Sequence, residues 1–364
     1  MKQKIKILLE DDNEIKGNGS GNPFIRQYLP TKRYLKILKK HKIKGTFYVD
    51  MAHYLFLKDN EYFEDFKFQA YTIEETIKML SENDMDVQIH IHSQWSGAEI
   101  KRNKIFVTNK WNIGQLDTKE QKILFKKSYD ALFKILSKSN KKPRLNSFKA
   151  GSWGLQPFNT MYDVFKSAGI KLIMGPIAGL KIPNLSVNYS GMHSSYFPYY
   201  ASKNDITKVD NKRNIVVLPM TPTYLNWPDF LRYIFEIKFL NKFRKNKLLD
   251  SYNMPKEMEK MKPLGGKDKL NIGLKPFKTH LKINSQRFWY LKNTFNRSYD
   301  LILKSKSNYK LIVIETHTKD FSNNINDIDK FFNYLKNSYK NLEFVTSADI
   351  VNEIEQKKLN PLNE

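Results

Sequence analysis

No cysteine occurs among the 364 residues. That excludes a disulfide framework and any thiolate metal site. Long hydrophobic runs are also missing: no stretch approaches the roughly 20 apolar residues of a membrane span. The apolar run at the start, Ile5 to Leu9 in MKQKIKILLEDD, is broken by Lys6 and runs straight into acids. It falls short of the roughly 7–15 apolar residues of a signal peptide. The expectation is a cytoplasmic protein. Histidine is scarce, with seven in the chain, yet two of them, His90 and His92, stand two apart in DVQIHIHSQW.

Hydrophobic residues make up 40% of the chain, with 24 Phe, 20 Tyr and 5 Trp, which excludes a disordered protein and is ample for a large core. The net charge of +25 admits a polyanion partner. The lysines are spread through nearly every segment, however, which fits solvated faces better than one binding patch. There is no zinc finger, Walker loop or RNA-binding signature, so specific nucleic-acid binding is the weakest functional reading. The glycine-rich KGNGSGNP lacks the Lys-Ser/Thr of a phosphate loop and reads as a mobile lid.

Strand-like and helix-like segments alternate. KIKILLE, GTFYVDM, MDVQIHIH, NSFKAG, KLIMG, NIVVLPM, YKLIVIETH and LEFVT read as strands. Helical spacing marks TKRYLKILKKHK, MYDVFKSAG, DIDKFFNYLKNSY and SADIVNEIEQKK, and capping boxes at Thr72 to Glu75 and Thr118 to Gln121 open two more helices. Seven or eight β/α units predict an α/β protein, a distorted (β/α)7-type barrel with mostly parallel strands. Residues 1–358 read as one barrel, with 176–300 as an elaborated insertion between late strands. Inside it, the basic amphipathic segment 227–248 reads either as an interfacial helix on anionic lipid or as an ordinary helix with a solvated basic face.

The ionisable residues fall at the C-terminal ends of the predicted strands: Glu10, Asp11 and Asp12; His90 and His92; Lys149; Glu315 and His317. In a parallel barrel these ends share one face, where active sites form. Side chains alternate along a strand, so Gln88, His90 and His92 share a face. Two imidazoles and a nearby carboxylate suit zinc or a similar divalent ion.

In this order the blocks resemble the polysaccharide deacetylase superfamily, the NodB-homology or carbohydrate esterase 4 group. LLEDDNE resembles its first motif, which implies Asp11 as general base and Asp12 as metal ligand. DVQIHIHSQW is similar to a variant of its His-x-x-x-His motif. His90 takes the first place there, but Gln94 stands where the second His is expected. His92 then becomes the replacement ligand, with Gln94 as the alternative third one. FKAGSWGLQP resembles the third motif, with Lys149 in the place of a base-orienting Arg and Trp153 as the aromatic. LIVIETHTKDF resembles the last motif and implies His317 as general acid.

The resemblance implies a divalent metal, zinc first with nickel or cobalt as alternatives, and hydrolysis of an N-acetyl or N-formyl group on an amino sugar. Trp95, Trp153 and Glu315 are candidate substrate contacts. A cytosolic substrate implies a nucleotide- or lipid-linked sugar of surface-glycan assembly (lipopolysaccharide, O-antigen or capsule), handled at the inner membrane face with peripheral contact to anionic lipid. Two rivals are a catalytically degenerate glycan-binding member and a barrel acting on glycosidic bonds through Asp11, Asp12 and Glu315 as paired carboxylates.

Overall fold

The computed structural model describes residues 4–102, 104–139, 143–194, 196–210, 214–236, 277–321, 324–359 and 361. Ten strands form the main sheet. They are β1 (Ile5–Asn13), β2 (Thr46–Asp50), β3 (Asp86–Ile91), β4 (Ser147–Ala150), β5 (Leu172–Met174), β6 (Tyr199–Tyr200), β7 (Val216–Leu218), β8 (Lys282–Ile283), β9 (Leu311–Thr316) and β10 (Leu342–Val345). Their lateral order is β6-β7-β5-β4-β3-β2-β1-β9-β8, and β10 also pairs with β1. All these pairings are parallel except β6 with β7. The helices are α1 (Leu29–Lys40), α2 (Met51–Asp59), α3 (Glu64–Glu82), α4 (Thr118–Leu136), α5 (Asn159–Ala168), α6 (Trp227–Phe235), α7 (Phe288–Lys304), α8 (Ile325–Ser338) and α9 (Ser347–Glu355).

One side chain shows that the sheet is curled. Lys149 on β4 places its ammonium 3.0 Å from Glu315 on β9. Those strands are four places apart in the sheet order, which in a flat sheet is about 19 Å at the ordinary strand spacing. The two ends of the sheet also meet. Just past β7, the Thr221 carbonyl accepts from the Leu281 N–H at 2.8 Å, and its hydroxyl accepts from the Val313 N–H at 2.8 Å. The architecture is the expected distorted (β/α) barrel.

Alternation along each strand divides the side chains between two environments. Ile7 and Leu9 of β1, Val87, Ile89 and Ile91 of β3, and Ile312 and Ile314 of β9 join the large core beneath the helices. Leu8, Leu172, Met174, Val216, Leu218, Leu311 and Val313 pack with Ile350 and Val351 of α9 in a second apolar cluster inside the barrel. That cluster forms a floor. Two residues further along their strands, Glu10 follows Leu8 and Glu315 follows Val313, so the interior changes from apolar to charged toward the C-terminal strand ends.

Several elements differ from expectation. Helix α3 begins at Glu64 rather than near Thr72, because the Thr72 hydroxyl donates back to the Phe68 carbonyl at 2.9 Å inside the helix instead of capping it. Helix α4 is capped one residue earlier, by Asp117 with Glu120. Helix α2 has no counterpart in the periodicity reading; the Asp50 carboxylate caps it. Within 176–300, β6, β7 and β8 join the main sheet. The glycine-rich loop packs down: a Cβ on Gly17 would meet the Trp111 ring at 2.9 Å.

No helix among the described residues is long and apolar enough to cross a membrane. In α6, Trp227, Leu231 and Phe235, spaced i, i+4, i+8, are 40%, 61% and 54% exposed. The remainder of the basic segment, from 237 to 248, lies outside the described residues.

Replacing Lys149 by Met would leave Glu10, Asp12 and Glu315 buried without their shared counter-charge, at an expected cost of about 3–5 kcal/mol near neutral pH. Burial opposes ionisation of Asp12, but Lys149 and His90 outweigh it and hold the carboxyl down to about 2. Against the same burial, Lys149 and His280 hold Glu315 well below its usual range. Depressed acids contribute stability above their unfolded pKa, and that contribution fades as pH falls through the folded value. In the variant these acids bind protons more tightly folded than unfolded, so its stability falls as pH rises. Denaturant titrations at about pH 5 and about pH 8 should show the larger gap from wild type at the higher pH. An equal gap at both would refute the counter-charge role.

Candidate metal centre and its charged base

Above the apolar floor the interior holds two tiers of charge. In the lower tier, the Lys149 ammonium lies 2.8 Å from Glu10, 2.7 Å from Asp12 and 3.0 Å from Glu315. Lys149 is 1% exposed and Glu10 and Glu315 are fully buried. Burial works against the charged ammonium, but the three carboxylates overcome it and keep Lys149 protonated. Burial, with Asp12 and Glu315 adding repulsion, pushes Glu10 well up against the opposing pull of Lys149. Glu315 also accepts from the Trp153 indole N–H at 3.3 Å and meets His280.

Asp12 links the tiers. Its second oxygen is 3.2 Å from His317 Nε2, and His317 Nδ1 is 3.3 Å from the Asn284 side-chain oxygen. Burial lowers the basicity of His317, but Glu315 and Asp12 outweigh it and raise its pKa.

The upper tier gathers Glu14, His90 and His92, with ligand-type atoms within 4.8 Å of one another. His90 Nδ1 is 2.9 Å from the Lys149 carbonyl, so Nδ1 carries the ring proton and Nε2 presents a lone pair. That lone pair faces Glu14 Oε2 at 3.4 Å, and His90 Nε2 is buried with no hydrogen-bond partner. Two acceptors aimed at each other repel unless a cation lies between them or the ring takes a second proton. The backbone carbonyl behind His90 is the usual partner of a metal-ligating imidazole. His92 Nε2 also contacts Glu14 Oε2, and Lys319 contacts Oε1. Burial opposes the charged ring of His92, yet Glu14 raises it to about 9. Against its own burial, Glu14 is held well below its usual range by His92 and Lys319. Two imidazoles and a carboxylate without thiolate fit a divalent ion of the zinc type. In a second group, Asp12, Glu315 and His317, ligand-type atoms also lie within 4.8 Å of one another, but there the Lys149 ammonium already occupies the cation's place.

The structure therefore brings His90 and His92 together and supplies Glu14 as their carboxylate. Asp12, expected as a ligand, is engaged instead by Lys149 and His317. Gln94, the expected alternative ligand, lies behind His92: its amide nitrogen is 2.8 Å from His92 Nδ1 and donates to the Gly17 carbonyl at 2.9 Å. It can orient the ring but does not face Glu14. Asp11, expected as the base, points to the helix side of β1, where Thr316 and Thr318 bind it; burial pushes it up to about 6. Lys149, expected beside Asp11, pairs with Asp12 instead. Trp95 is core, stacked on His53 with centroids 4.3 Å apart and packed on Phe56. Trp153 does reach the centre. Glu315 is saturated by Lys149, Trp153 and His280 and has no oxygen left for a substrate. With Asp11 on the other face and Glu315 saturated, the paired-carboxylate arrangement for glycosidic chemistry is absent.

Sequence reasoning missed Glu14, His280 and Lys319. Glu14 was within reach: Glu10, Asp12 and Glu14 stand two apart, so strand alternation puts them on one face, the same rule that paired His90 with His92. His280 carried no signal, because its strand, Phe277–His280, pairs with Pro222–Leu225 across a long intervening segment.

No family model and no curated protein sequence matches the chain. Solved structures do match its fold. A Mycobacterium smegmatis protein described as a polysaccharide deacetylase aligns over 99% of this chain and 93% of its own, at 11% identity and a TM-score of 0.53. Puue allantoinase aligns over 99% of this chain and 92% of its own, at 12% identity and a TM-score of 0.51. At such identities the likeness establishes the fold alone: this chain has a barrel of the kind these two proteins share.

Titration with zinc or cobalt should give one bound ion per chain by elemental analysis. Glu14→Gln and His90→Ala should abolish it, whereas Asp12→Asn should retain it. Gln94→Ala should weaken binding by about 10–100-fold, the ordinary cost of losing a residue that orients a ligand. Loss of the ion in Asp12→Asn with retention in Glu14→Gln would reverse the assignment.

Proposed function

We propose that the chain is a metal-dependent amide hydrolase of the deacetylase type, which removes an acetyl or formyl group from an N-acyl amino sugar. The observation that carries this reading is the buried His90 Nε2, which has no hydrogen-bond partner and faces the Glu14 carboxylate shared with His92 at the C-terminal strand ends, with Asp12 and His317 close by. The sugar as substrate class is drawn from the polysaccharide deacetylases whose fold the chain shares. We further propose a nucleotide- or lipid-linked substrate of surface-glycan assembly, met at the cytoplasmic face of a membrane. The exposed apolar stripe of α6 and the basic sequence that follows it support that setting.

A divalent ion held by Glu14, His90 and His92, with zinc the first candidate and nickel or cobalt the alternatives, would polarise the acyl carbonyl and acidify the attacking water. Asp12 takes the water's proton. Its low pKa keeps it ionised across the neutral range, and Lys149 fixes one of its oxygens. His317, whose pKa is raised, carries the proton that the departing amine needs. Its side chain is 13% exposed, against 7% for Asp12 and His92, so it is the part of the centre that a substrate reaches first. Trp153, partly buried beside Glu315, offers an aromatic edge at the same mouth.

A second reading, glycan binding without hydrolysis, draws on the contacts of His92 and Lys319 with Glu14, which balance that carboxylate without an added ion.

The zinc-, cobalt- or nickel-loaded protein should release acetate or formate from a panel of N-acyl amino sugars and their nucleotide-linked forms. His317→Ala should lower kcat by about 10²–10⁴-fold, the usual worth of a general acid. Saturable sugar binding with no release from any of them would favour the second reading. Sedimentation with anionic vesicles tests the membrane setting. Co-sedimentation should be lost at high salt and weakened in Leu231→Ser, and equal recovery with neutral vesicles would sink the proposal.

A further inference from the structure

We infer that Asp11 is a positioning residue that clamps the turn carrying His317, and not a base that meets substrate. The inference rests on the reading of His317 as proton donor. Asp11 is 1% exposed and lies on the helix side of β1, opposite Asp12. One carboxylate oxygen accepts from the Thr316 hydroxyl at 2.7 Å and the Thr318 N–H at 2.9 Å. The other accepts from the Thr318 hydroxyl at 3.0 Å and the Asn13 amide at 3.3 Å. Three of the four donors belong to the two residues that flank His317.

The parallel pairing of β1 with β9 ends at Asp11 opposite Thr316. Past that point the chain leaves the ladder and turns through Thr318–Asp320, and the His317 N–H keeps only a 3.4 Å bond to the Ile283 carbonyl. The Asp11 carboxylate replaces the missing ladder. With Thr316 and Thr318 both drawn to the helix side, His317 between them must point into the barrel, toward Asp12. The same turn carries Lys319 to Glu14. The clamp is tied in turn to α1 and the turn that precedes it: the Asn13 amide donates to the Thr31 hydroxyl at 2.8 Å, and Gln27 donates to the Asn13 carbonyl at 2.9 Å.

Asp11→Asn and Asp11→Ala separate the two roles. An Asn oxygen still accepts from Thr316 and Thr318, so a clamp survives in Asp11→Asn, whereas a general base does not. Hydrolysis in Asp11→Asn should stay within about tenfold of wild type, against the 10²–10⁴-fold loss expected for a base. NMR titration of the His317 ring gives a readout independent of activity. Its apparent pKa and chemical shift should be near wild type in Asp11→Asn and displaced in Asp11→Ala. Thr318→Val, which removes one clamp bond and leaves Asp11 intact, should displace the same signal less and lower kcat with little change in KM. It also carries the test if Asp11→Ala does not fold. An inactive Asp11→Asn with an undisturbed His317 signal would make Asp11 the base and overturn the clamp. So would a His317 titration unmoved in Thr318→Val and, where it folds, in Asp11→Ala. Absence of hydrolysis in the wild type would defeat the proposed function, and the NMR readout would still decide the clamp.

Discussion

A single buried ammonium sets the terms for the rest of this molecule. Lys149 draws acids from β1 and β9 across the barrel to β4, and no flat sheet could satisfy it. Such an arrangement contributes less to net stability than its short distances suggest, because all four groups lose their water. Its larger contribution is to select one geometry. Any slip of β1 by one residue would turn Glu10 and Asp12 toward the helices and leave the ammonium unpaired inside the barrel.

The same ammonium separates the two candidate cation sites. Both could satisfy a distance criterion, but the lower one contains its cation as a covalent part of the chain. In the upper one His90 Nε2 faces a carboxylate that only His92 and Lys319 neutralise. A divalent ion in the upper site would have to displace the proton on His92, which Glu14 holds at the usual expense of metal binding by histidine. Lys319 beside the same carboxylate adds like charge. The centre is thus a compromise in which protons and a lysine stand in for an ion, and the ion must outcompete them.

Much of this was legible in the sequence. The alternation of strand and helix predicted the barrel, and the clustering of acids and histidines at strand ends predicted where the site lies. Simple rules singled out His90, His92 and His317, which the structure gathers at the strand ends. The departures at β1 share one cause: matching LLEDDNE to a motif put the adjacent pair Asp11 and Asp12 together in one site, although neighbours on a strand face opposite ways. Strand parity alone assigns Glu10, Asp12 and Glu14 to the interior and Asp11 and Asn13 to the helix side. Helix α2 stayed hidden because it is nearly apolar all round, with six of its nine residues buried, and so shows no amphipathic period. His280 stayed hidden because the pairing that places it joins residues far apart in the chain.

Strand parity also explains why five consecutive polar residues, Glu10 to Glu14, can all be buried in one strand and its exit. Each face needs its own partners, and each has them. On the interior face, Lys149, His317, His92 and Lys319 answer Glu10, Asp12 and Glu14 with positive charge. On the helix face, Thr31, Thr316 and Thr318 answer Asp11 and Asn13 with neutral hydroxyls and an amide N–H. The first set is charged, as a reactive centre must be. The second is neutral apart from Asp11 and bonded at both carboxylate oxygens, which suits a clamp. One short sequence thus builds both the reactive centre and the fixture that aims its histidine, divided by the pleat of a single strand.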